Sequence, residues 1–197
     1  MITLELLEKE CGETVRDWTF RTILHNLVNL VLPPGSAVSE NDVASSLGIS
    51  RTPVRETFIR LAQDGLLDVY PQKGTYVSLV DEQRVEEGRY MRLCLETHTM
   101  ELACEVRSSE DLVALEANLQ RQRLAVNERN PSRFFSLDED FHRLVFVTCG
   151  KERIWEAIRK MSSHFDRVRM LSLHATNWDK IIAQHRFLLD VIGNRNH

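Results

Sequence analysis

Between Ser39 and Val77 the chain sets two capped helices, a glycine turn and a hairpin in immediate succession, and few folds accept that order. Ser39 followed three positions later by Asp42 predicts a helix start, the hydroxyl accepting from an early amide while the carboxylate reaches back toward the cap. Val43, Ala44 and Leu47 recur at helical spacing and face a core, and Gly48 supplies the positive φ that ends the helix. Ser50 serves as N-cap of a second helix, whose first turn tolerates Pro53 because the missing amide would have no helical partner there. Val54, Phe58 and Leu61 form its buried stripe, with Arg51, Thr52 and Arg55 on the opposite face. Gly65 stops the helix, Leu67 to Tyr70 has strand composition, Pro71-Gln72-Lys73-Gly74 has turn chemistry, and Thr75 to Leu79 returns as a strand. Two helices at a tight turn followed by a hairpin describe a winged helix-turn-helix.

In that arrangement the first residues of the second helix reach base edges in the major groove, where arginine on guanine is the commonest specific contact. Lys73 at the wing tip is placed for a phosphate, which positions the domain without reading sequence. Charge alone does not announce the partner. The formal net charge is −4, and within 14–80 Arg16, Arg21, Arg51, Arg55, Arg60 and Lys73 are balanced by Asp17, Glu40, Asp42, Glu56, Asp64 and Asp68. The motif carries the inference to double-stranded DNA. The bland alternative is a protein-interaction winged helix with solvated arginines.

With 197 residues the chain has room for this head and one further domain. Met1 to Glu13 carries four glutamates against one lysine and is expected to be a mobile lead-in, leaving 14–80 as the head. Cys11, Cys94, Cys104 and Cys149 form no Cys-x-x-Cys pair, and no apolar signal segment or spanning helix opens the chain, so a cytoplasmic protein with reduced thiols and no membrane association is expected. From 81 to 197 no strand pattern appears. Helices are predicted from Asp81 to about Val106, from Ser108 to about Glu128, from Asn130-Pro131 to Gly150, from Glu152 to about Leu173 and from Trp178 to about Ile192. Leu112, Leu115 and Leu119, like Ile154, Ile158 and Met161, give the amphipathic spacing of an antiparallel bundle. The fold class is therefore mainly α: a winged helix-turn-helix with a small β-wing, then an all-α antiparallel helical bundle.

One constellation in the bundle carries chemistry. Asp138 and His142, four apart, project from one helix face, and His185 lies on a later helix that can pack opposite. Two imidazoles and a carboxylate suit a divalent transition metal such as zinc or nickel. An aspartate and histidine at this spacing can also be a plain hydrogen-bonded pair. No organic cofactor motif is present.

The run from Val15 to Val80 closely resembles the GntR family of bacterial transcription regulators, through Leu32-Pro33-Pro34-Gly35, Leu47-Gly48-Ile49-Ser50-Arg51-Thr52-Pro53-Val54-Arg55-Glu56, Leu61-Ala62-Gln63-Asp64-Gly65-Leu66 and Lys73-Gly74-Thr75-Tyr76-Val77. The resemblance implies that Arg51 and Arg55 read bases, that Ser50 and Thr52 contact backbone or base, that Lys73 and Gly74 enter from the wing, and that Asn41 adds a phosphate or base contact. The second half resembles the FCD ligand-binding domain of the FadR-like branch, through Arg92-Leu93-Cys94-Leu95-Glu96, Asp138-Glu139-Asp140-Phe141-His142 and Gln184-His185-Arg186-Phe187-Leu188-Leu189-Asp190-Val191-Ile192. That resemblance implies a metal held by an aspartate and three histidines and approached by a small carboxylate effector. Asp138, His142 and His185 match three ligands, and Arg92 matches a basic partner for the effector, its plainer reading being an ion pair with Glu96.

The family's last histidine lies on a further helix, and the chain reads as lacking that helix. His197 follows His185 too closely to replace it, and His174 precedes a turn. A missing last helix would leave either a site of three protein ligands completed by water or no metal, and would expose apolar surface. The expected function is a sequence-specific DNA-binding regulator, such as a repressor, acting as a homodimer on a palindromic operator under control of the carboxylate. It is expected not to be an enzyme. Two alternatives are a metal-dependent hydrolase built on Asp138, His142 and His185, and a ligand-free DNA-binding module.

Overall fold

The computed structural model describes residues 2–173, 175 and 177–194. It divides into two compact units, Met1–Asp81 and Glu82–His197.

In the first unit α1 (Val15–Val28) is capped by Thr14, whose hydroxyl accepts from the Asp17 amide at 3.1 Å. After β1 (Ala37–Val38), α2 (Glu40–Leu47) begins at Ser39 and ends at Gly48, whose φ of 66° supports the expected left-handed stop. The Asp42 carboxylate meets the Ser39 hydroxyl at 2.5 Å rather than the Ser39 amide, so the cap is one-sided at the backbone. The next helix, α3 (Arg51–Gln63), starts after Ser50, which holds the expected N-cap position with extended backbone but makes no side-chain cap bond. Val43, Leu47, Val54, Phe58 and Leu61 are buried as their spacing predicts, and pack with Ile23 and Leu27 of α1. Each such burial contributes about 1.5 to 3 kcal/mol.

β2 (Leu67–Tyr70) and β3 (Gly74–Val77) pair antiparallel with Tyr70 opposite Gly74. β1 adds to the other side of β3, giving the order β1-β3-β2. A two-residue strand is too short to show alternation, which is why only the hairpin was expected. The lead-in also differs from expectation. It forms no regular element, but Asn26 accepts from the Glu5 amide at 2.8 Å and donates to the Glu5 carbonyl at 2.9 Å, while Trp18 donates to the Leu7 carbonyl at 2.7 Å. Leu4 is buried in the same core, so this strap is fastened along α1 rather than mobile. Its backbone polar groups have found side-chain partners on the helix, a pairing that composition does not reveal.

The second unit holds helices only among its described residues: α4 (Glu82–Val106), α5 (Ser109–Asn127), α6 (Pro131–Thr148), α7 (Glu152–Met161), α8 (Ser163–Leu173) and α9 (Trp178–Asn194). Ser108 and Asp111 form a full capping box at the start of α5, and Asn130 caps α6 with Pro131 in its first turn. The single helix expected from Glu152 to Leu173 is broken at Ser162. The break lies against α4: a Cβ on Gly88 would stand 3.2 Å from the Met161 carbonyl oxygen and 3.3 Å from the Ser162 Cα, so the glycine permits this close approach. The break lets α8 run on its own axis against α4 and α6, carrying Asp166 and Arg169.

Candidate functional site

In the first unit Asn41, Ser50, Arg51, Thr52, Arg55, Lys73 and Gly74 are all exposed. Buried Val54, Phe58 and Leu61 fix the roll of α3, which turns Arg51, Thr52 and Arg55 outward. The Arg51 guanidinium stands 3.2 Å from the Glu40 carboxylate at the start of α2, an exposed pair held across the helix-turn-helix. Because Ser50 leaves the first amides of α3 uncapped, the helix start keeps donors and its positive dipole end for an anionic oxygen. The wing tip turns through Gln72 at φ 63° and Gly74 at φ 110°, with Lys73 between them.

In the second unit the structure brings Asp138, His142 and His185 together, with one donor atom from each lying within 4.8 Å of the others. Asp138 and His142 come from α6 and His185 from α9. His185 is 4 % exposed, stacks on Phe141 at 4.3 Å between ring centroids, and pairs through Nδ1 with the Gln122 side-chain oxygen at 2.9 Å. An amide oxygen only accepts, so Nδ1 carries the proton and Nε2, 3.5 Å from Asp138, keeps its lone pair. Gln122 in turn donates to the Asn118 side-chain oxygen at 2.7 Å. Burial pushes His185 down to about 4, although Asp138 draws it the other way. His142 places Nδ1 3.0 Å from Glu96, off the hydrogen-bonding line. Burial alone would raise Glu96, but His142 and Arg92 hold its carboxyl at about 2.

The donor set fits a divalent metal: two borderline imidazoles and one hard carboxylate on two helices, one imidazole with its tautomer already fixed. Ligand bonds of about 2.1 Å would draw the donors to about 3.4 Å apart, a modest closure. His174 and His197 lie outside the described residues.

Beside the donors is a cavity of about 800 Å³, lined among others by Arg89, Arg92, Asp138, His142, Arg169 and His185. Arg92 is buried and does pair with Glu96, at 2.6 Å, but its other arm donates to Glu139 at 2.6 Å, so it is part of a larger cluster. Arg169 of α8 donates to Asp138, to Glu139 and, at 3.0 Å, to Asp166. Burial, then Glu139, pushes Asp166 up, whereas the two arginines hold Glu139 down against its own burial. Sequence spacing missed Arg169, Glu139, Asp166 and Gln122. The available signal was that Asp166 and Arg169 share a helix face three apart, a pattern common on solvated helices.

These features define a winged-helix DNA-binding protein with an all-helical second domain. Residues 19–77 match the bacterial regulatory proteins of the gntR family, and residues 89–197 match the FCD domain. The chain is 30% identical over 185 residues to the HTH-type transcriptional repressor RspR of Escherichia coli K12, covering 93% of this chain and 81% of that protein. It is 35% identical over 182 residues to an HTH-type transcriptional regulator in an unstable DNA locus of Streptomyces ambofaciens, covering 92% and 76%. Escherichia coli McbR/YncC shares the fold, with a TM-score of 0.81 at 22% identity over 93% of this chain and 88% of that one. The chain belongs to the GntR family and is a transcriptional regulator with a GntR-type DNA-binding domain and an FCD domain. That membership sets aside the hydrolase alternative. Among the described residues no helix is long and apolar enough to cross a membrane.

Proposed function

We propose that the chain acts as a homodimeric repressor on a palindromic operator, and that a small carboxylate entering the FCD cavity modulates operator binding with a divalent metal at Asp138, His142 and His185. Arg51 and Arg55 read bases, Ser50, Thr52 and Asn41 contact backbone or base, and Lys73 with Gly74 enters from the wing. Half-sites then lie about one helical turn apart, roughly 34 to 36 Å. The repressor sense follows from the likeness to the Escherichia coli transcriptional repressor RspR.

The observation that carries the effector reading is the meeting of Arg92 and Arg169 with the Asp138, His142 and His185 donors on one cavity wall. Guanidinium forks match a carboxylate, and a bound metal would offer an anionic oxygen an open coordination position. The chain's own residues hold the imidazole tautomer through Gln122 and orient the arginines through Glu139. For regulation the carboxylate must bind two states of the dimer unequally, because equal affinity shifts nothing. The test is fluorescence anisotropy on a labelled operator recovered by genomic selection, titrated with a carboxylate panel in the presence of zinc or nickel. At least one carboxylate should move the binding curve in wild type and not in His142→Ala. A panel that leaves the curve unmoved sinks the effector reading.

A further inference from the structure

Arg169 sits where the chemistry of this centre is most contested. Its guanidinium holds Asp138 Oδ2, on the same carboxylate whose Oδ1 faces His185 Nε2 at 3.5 Å, and at the same time holds Glu139 and Asp166. Its side chain is 20% exposed, more than that of Asp138 at 9% or Arg92 at 7%, and it lines the open cavity. One guanidinium therefore touches both the metal ligand set and the space from which an anion would arrive.

The charges in direct contact do not balance. Arg92 and Arg169 face the carboxylates of Glu96, Asp138, Glu139 and Asp166. Two guanidiniums meet four acidic groups, and even with Asp166 pushed up toward its neutral form the carboxylates outnumber them, which favours a further cation because buried charge is costly unless paired. Yet a metal on Asp138 Oδ1 would share the carboxylate that Arg169 holds by Oδ2, placing two cations against one carboxylate and weakening its hold on the metal. An entering carboxylate removes that conflict. It gives Arg169 a replacement partner, while Glu139 and Asp166 keep the arginine in place.

Building on the metal and carboxylate reading above, we propose that Arg169 is an internal counter-cation that competes with metal for Asp138, so that carboxylate capture by Arg169 tightens metal binding. The coupling is reciprocal: metal on Asp138 frees Arg169 for the anion. Such a device makes the loaded site answer to metal and carboxylate together more strongly than to either one.

Isothermal titration of the full chain with zinc tests it, in propionate and in chloride at equal ionic strength. Wild type should bind zinc severalfold more tightly in propionate. Arg169→Met and Arg169→Gln, two neutral variants chosen in case one does not fold, should bind zinc at least about tenfold more tightly than wild type in chloride, the scale on which groups around metal ligands shift affinity. Both should lose the propionate effect. A wild type indifferent to propionate overturns the proposal, as do variants that bind zinc no more tightly or keep the propionate effect. If wild type binds zinc no better than His142→Ala, the metal reading itself falls, and this coupling with it.

Discussion

At the residue scale His185 is the group whose chemistry is most altered by its surroundings. Burial lowers it from 6.5 to about 4, so the unfolded chain binds the extra proton first as pH falls. Its contribution is complete above pH 6.5 and is lost progressively down to pH 4, by up to about 3 kcal/mol at 1.4 kcal/mol per unit. Glu96, held at about 2, keeps its contribution down to its ordinary 4.5 and loses it below that, so the two windows barely overlap. Urea unfolding from pH 7.5 to 4.5 should show wild type losing stability faster than His185→Gln; parallel curves would mean that His185 is not buried neutral. Asp138 and His142 were legible because spacing four on a helix guarantees a shared face, whereas His185, on α9, was reached through the expected packing of a later helix and the FCD resemblance. Arg169 was not legible, because its role depends on how α8 meets α6, and that follows from a helix break with no local sequence signature.

At the element scale caps and breaks decide where side chains point. Ser108 completes a reciprocal box, so Ser108→Ala should cost about 1 kcal/mol in chemical denaturation. Ser50 makes no cap bond, and Ser50→Ala should stay within about 0.5 kcal/mol of wild type while weakening operator binding. Equal losses in the two variants would show that the Ser50 hydroxyl caps α3 after all. Gly88→Ala places a methyl against backbone at Met161 and Ser162 that cannot swing away, and a loss of about 1 to 3 kcal/mol is expected. The head was legible almost element by element, since its glycine turn, proline in the first turn and hairpin are local signals. What escaped, β1 and the fastened strap of 2–13, depends on pairing with distant partners, Tyr76 and Asn26 among them.

At the scale of the whole molecule a net charge of −4 means that DNA is met by an arranged surface rather than a general positive field. Lys73 at the wing tip should then act as a phosphate contact: Lys73→Ala should weaken binding evenly across sequences and lower the salt slope by about one per protomer. Base reading by α3 is the central claim, and it is tested most directly by comparing wild type, Arg51→Ala and Arg55→Ala on the selected operator and on a scrambled duplex at one fixed salt concentration. Each substitution should cost about 1 to 3 kcal/mol on the operator and little on the scrambled duplex, so that specificity shrinks with affinity. Variants that keep wild-type affinity and the wild-type gap between the two duplexes would contradict it.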